Sequence, residues 1–135
     1  MVYLVIAISA IVFTIWTLFW GSIHIRYNYC DFNIEAQGWN DYTGDYSQID
    51  SISYEENIFQ NVNDYKTNGF GNLKYAMGNF KNDIFGNYIR YTHASCHSYV
   101  VMYIDGKILV VNGANDSETK EIYQIISEKA AEERE

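Results

Sequence analysis

The sequence predicts a mainly β domain, a bent antiparallel sheet or barrel closed by one C-terminal α-helix, carried behind one transmembrane helix. Three features predict it. Residues Val2 to Trp20 form an apolar run broken only by Ser9, Thr14 and Thr17. Apolar and polar residues then alternate with the period of two that marks half-buried strands. Near the end, two β-branched runs flank Asp105-Gly106 and lead into a segment with a 3.6-residue period.

The N-terminal run is long enough, at about 1.5 Å per residue, to cross a hydrocarbon layer of about 30 Å. Val2 and Tyr3 stand at one boundary, and Trp16, Phe19 and Trp20 gather at the other, where amphipathic rings prefer to lie. A cleaved signal peptide is the rival, but it lacks here a basic leading region and an A-x-A site. The expected division is a membrane anchor over residues 1–21 and one domain over 22–135. Arg26 is the first charged residue, and with His24 it makes the only basic flank. The positive-inside bias therefore places the domain on the cytoplasmic side of a single-pass cell-membrane protein.

Ser22 to Ile34 alternates through Ile23, Ile25, Tyr27 and Tyr29, then Phe32 and Ile34, which predicts one strand with a bulge near Asp31. Glu35 to Asp45 is acidic and turn-rich, a loop or ragged hairpin, and Tyr46 to Glu55 reads as a turn entering a second strand. Gly71-Asn72, Gly78-Asn79 and Gly86-Asn87 each precede an apolar or aromatic residue, as turns or bulges between aromatic strands do. Asn87 to His93 reads as a strand, and Ser98 to Gly113 as a type I′ hairpin. Asp116 is the expected N-cap of the last helix, with Ile122, Tyr123, Ile125, Ile126 and Ala130 on its buried side.

Chemistry is sparse. The formal net charge of −8 argues against nucleic-acid binding, which needs a basic footprint. Lys66 to Phe80 has the glycines of a phosphate cradle, yet Lys74 stands where G-x-G-x-x-G requires its third glycine and no helix follows. His93, Cys96 and His97 have metal-ligand side chains, but a strand would hold the two histidines about 13 Å apart, and no fourth ligand is in view. No catalytic signature surrounds Cys96, so no enzyme, metal or cofactor is expected. Cys30 and Cys96 are expected as reduced thiols. The strongest candidate surface is the basic stretch, where Lys66, Lys74, Lys81 and Arg90 meet a single acid, Asp83, and interleave with Phe70 and Phe80. Such a stretch suits an anionic headgroup or an acidic partner.

"TNGFG" at Thr67 to Gly71, "GNFKNDIFGNYIRY" at Gly78 to Tyr91, the hairpin "VVMYIDGKILVVNG" and the helix start "NDSETKEIYQII" carry a resemblance. Across positions 24 to 128 the chain resembles the bacterial pleckstrin-homology-like domains borne on one N-terminal membrane helix. The resemblance implies a bent sheet of about seven strands capped by a helix. Within that family the single anchor, the length and the Asn/Tyr-rich composition are similar to small prophage-encoded immunity proteins of sublancin-type bacteriocin producers. That implies antibiotic resistance without catalysis, with the bacteriocin peptide or its membrane-protein target as partner. A headgroup- or membrane-complex-binding module with no toxin role is the alternative. Phosphoinositide binding does not carry over, because the segment matching the family's basic first hairpin, Glu35 to Asp45, is acidic here.

Overall fold

In a computed structural model, which describes residues 1–134, the apolar run forms helix α1, Val2–Phe19, with none of its residues buried. It is long and apolar enough to cross a membrane. Nine strands follow: β1 Ser22–Tyr27, β2 Asp31–Gln37, β3 Tyr42–Asp45, β4 Ile49–Glu56, β5 Tyr65–Gly71, β6 Tyr75–Asn82, β7 Gly86–His93, β8 Ser98–Ile104 and β9 Lys107–Val111. Helix α2, Asp116–Glu133, closes the chain. The domain is therefore mainly β with a C-terminal helix. Strands β1-β2-β3 make a small sheet, and the large one runs β4-β8-β9-β7-β6-β5.

Some local expectations change. The stretch from Ser22 to Ile34 is two strands, because the phase jump between Tyr29 and Phe32 is a chain reversal rather than a bulge. Asn28 N–H donates to Asp31 O at 2.8 Å, and Tyr27 pairs with Phe32 across the turn. The acidic segment takes the hairpin form of its two expected ones, with β2 and β3 paired from Asp31–Asp45 to Ile34–Tyr42. The N-cap of α2 is Asn115, whose Oδ1 accepts from Glu118 N–H at 2.9 Å. Asp116 instead accepts from Ser98 Oγ at 2.8 Å, tying the first helical turn to β8. Finally, the sheet is not wholly antiparallel, since β7 and β9 pair in parallel from Ile89–Leu109 to Tyr91–Val111.

Buried Asn112, just past β9, accounts for that parallel contact. Its Oδ1 accepts from His93 N–H at 2.7 Å and its Nδ2 donates to Cys96 O at 3.1 Å. A buried amide with both ends satisfied fixes its neighbours in one arrangement.

Alternation assigns each face of the large sheet. Met77, Tyr91, Val100, Met102, Leu109 and Val111 face inward against Phe32 and Ile34 of the small sheet and Ile122, Ile126 and Ala130 of α2. Phe80, Tyr88, Tyr99, Val101 and Val110 face outward and are covered by Ile58 and Phe59 from the segment after β4. Both faces of β8 are thus covered except at Tyr103, which is 48% exposed, and this accounts for its apolar run.

The β8–β9 turn adopts its expected form, with φ of 49° at Asp105 and 71° at Gly106. Gly78 departs from expectation, because it lies within β6 rather than at a corner. It pairs with Gly69 at φ 115°, where a Cβ would meet Asn68 O and Gly69 Cα at 2.7 Å and Trp39 at 3.2 Å. The two glycines let adjacent backbones close up beneath an indole. Gly78→Ala is expected to lower the unfolding free energy by about 3 kcal/mol, read as a shifted urea midpoint in detergent.

Candidate functional site

The basic stretch does not fold into one cationic surface. Lys66 and Lys81 are exposed on β5 and β6, and Lys74 is exposed in the turn between those strands. Arg90 is engaged elsewhere. Its guanidinium lies 3.9 Å from the centroid of Phe59, bonds Asp64 Oδ2 at 3.1 Å and donates from Nε to Thr92 Oγ1 at 2.6 Å. Its partner, Asp64, lies two residues before Lys66, outside the basic stretch. Phe80 is buried in the outer cluster, and Phe70 is half-buried with its ring against Trp20 at 5.8 Å.

Asp64 is the hub of this outer region. Besides Arg90 it accepts hydrogen bonds from Tyr88 Oη and from Asn82 Nδ2, the latter at 3.1 Å. Burial, and then the bond to Asp64, push the Tyr88 phenol well above its usual range, so the hydroxyl stays a donor. These bonds pin the polar segment 57–64 across the aromatic face as a strap. Between strap and sheet lies a cavity of about 510 Å³, bordered by Asn57, Phe59, Arg90, His97 and Tyr99.

A second groove of about 640 Å³ runs across the sheet from β5 to the β8–β9 turn and is lined by Thr67, Asn68, Asn79, Phe80, Tyr103 and Lys107, among others. β5 is an edge strand whose residues Tyr65 to Asn68 are all exposed. An exposed edge offers free backbone donors and acceptors to an extended partner. The groove and the edge share residues Thr67 and Asn68.

His93, Cys96 and His97 are drawn into structure rather than gathered around a point. His93 packs edge-on against Tyr75 with its Nδ1 3.3 Å from Asn112 Oδ1. Cys96 is buried with Sγ 3.1 Å from Ser98 Oγ and 3.4 Å from Thr119 Oγ1, while His97 is exposed. Among the described residues no group of three metal-ligating side chains could hold an ion. Cys30, exposed, and Cys96 are both free.

The residue that sequence reasoning missed is Asn72. Its Oδ1 accepts from Lys74 N–H and Tyr75 N–H, both at 2.9 Å, and closes the β5–β6 turn. Its Nδ2 donates to Thr17 O at 3.1 Å and Trp20 O at 2.8 Å at the end of α1. Leu73 N–H adds a bond to Leu18 O at 3.1 Å. One amide thus shapes the turn and receives the unpaired carbonyls of a helix end. Its only signal in the sequence was the Gly-Asn pair, which marked a turn without revealing a partner 52 residues away.

Two outcomes are expected. Asp64→Ala, which strands the Arg90 guanidinium at low exposure, lowers stability by about 2 kcal/mol, and Asp64→Ala with Arg90→Met restores part of it in denaturant melts. Asn72→Ala speeds hydrogen exchange at the Lys74 and Tyr75 amides about tenfold, equivalent to about 1.4 kcal/mol. No family model matches the chain, and neither a curated protein nor a solved structure shows significant similarity to it.

Proposed function

We propose that this protein is a membrane-anchored, non-enzymatic interaction domain that confers immunity to a bacteriocin of the sublancin type. It acts by binding the peptide or by shielding the membrane protein that the peptide attacks. One observation carries the interaction reading: an open edge strand, β5, beside a groove of about 640 Å³, on a domain joined without a linker to a helix able to span a membrane. Held this way, the edge strand meets partners at the bilayer at a high effective concentration.

The pleckstrin-homology-like resemblance and the immunity role rest on the motifs from Thr67 to Tyr91 and on the composition. The structure has nine strands and a parallel pair where the resemblance implied about seven antiparallel strands. The shared features are a mainly β architecture and the closing helix. Cytoplasmic placement of the domain rests on His24 and Arg26 alone.

The test is protection. A sensitive strain expressing the full chain is expected to survive a sublancin challenge. Lys66→Glu with Lys81→Glu, on the exposed β5–β6 hairpin, is expected to abolish survival at equal membrane abundance. Unchanged sensitivity with the wild-type chain present in the membrane would sink the immunity reading.

A further inference from the structure

We infer that the β5–β6 turn, Asn72 to Lys74, is a lipid-seating element that lies in the phospholipid surface beside α1, with Leu73 at the hydrocarbon edge and Lys74 at the phosphates. This rests on reading α1 as a membrane span. The depth follows from length. The 18 residues of α1 give a helix of about 27 Å, just enough for a hydrocarbon layer of about 30 Å, so none of its turns is spare. Leu18 must then lie at the hydrocarbon boundary. Leu73 N–H is bonded to Leu18 O at 3.1 Å, so the turn is at that depth too.

Two independent observations suit the turn to that position. First, its backbone donors are all used inside the protein. Asn72 N–H donates to Tyr75 O, Leu73 N–H to Leu18 O, and Lys74 and Tyr75 N–H to Asn72 Oδ1. Backbone that enters a water-poor layer has to be satisfied in this way. Second, the side chains are those of an interface. Leu73 is 61% exposed, an apolar residue bonded through its N–H to the end of a helix none of whose residues is buried. Phe13, Trp16, Trp20 and Phe70 form a column with ring centroids 6.1, 5.7 and 5.8 Å apart, running from the helix into β5. Aromatic side chains of this kind settle at the headgroup level.

The cations complete the pattern. Lys74 follows Leu73 directly, and Lys66 leans back along β5 until its Nζ is 4.0 Å from where a Gly71 Cβ would stand. Both ammonium groups are therefore placed around the turn, within reach of lipid phosphates. Ala94, whose N–H donates to Lys74 O, and Ser95 beside it add no negative charge.

The test uses the full chain with Cys30→Ser, reconstituted in vesicles of phosphatidylcholine and phosphatidylglycerol. Leu73→Cys or Ile84→Cys, both exposed sites, carries an environment-sensitive NBD dye. Emission from position 73 is expected to be blue-shifted and quenched by lipids bearing a shallow nitroxide, and that from position 84 to match dye in water. Equal, water-like emission from both sites in a chain that floats with the vesicles would overturn the inference and leave the span intact. A chain that fails to float with the vesicles would overturn the span reading, and the inference with it.

Discussion

The geometry of the whole molecule depends on a single carboxamide. A transmembrane helix ends in carbonyls that its own backbone cannot satisfy, and a flexible linker would leave them to water. Here Asn72 and Leu73 take up the carbonyls of Thr17, Leu18 and Trp20, and the chain passes through Gly21 directly into β1. The domain is consequently clamped to the helix at one end of a β-hairpin. Its orientation is set by hydrogen bonds rather than by the reach of a tether.

The rest of the large sheet is arranged outward from that clamp. The β5–β6 hairpin holds the helix, β7 extends the sheet, and the β8–β9 hairpin fills the space between β7 and β4. The large sheet ends in two edge strands, β4 and β5, and the groove that begins at β5 runs on to the β8–β9 turn. The strap over the outer face is held by charge and aromatic contact at Asp64, Arg90 and Phe59. In a protein of net charge −8 this fastening removes one of the few cations from the surface.

Periodic features of the chain were legible before the fold was known. The apolar N-terminal run, the Asp105-Gly106 hairpin and the buried stripe of α2 each signal their own geometry locally, and each appears where its pattern placed it. Features that depend on distant partners were not legible. Tyr27 and Phe32 change phase in a way that fits a bulge or a reversal equally well, and only pairing across the turn separates the two. Arg90 looked like a free cation because its carboxylate, Asp64, is contributed by the strap 26 residues earlier. The parallel β7–β9 pair leaves no mark on either strand, since alternation is the same in both directions.

The interior position of the β8–β9 hairpin has a consequence for how the protein is made. Strand β4 is synthesised well before the β8–β9 hairpin that separates it from β7 in the finished sheet, and its backbone edge stays unpaired until β8 arrives. While the residues beyond His97 are still being added, that edge is open to other chains. Insertion of that last hairpin is a non-local and therefore slow step. With α1 read as a membrane span, attachment to a bilayer would keep such half-finished copies apart during that interval.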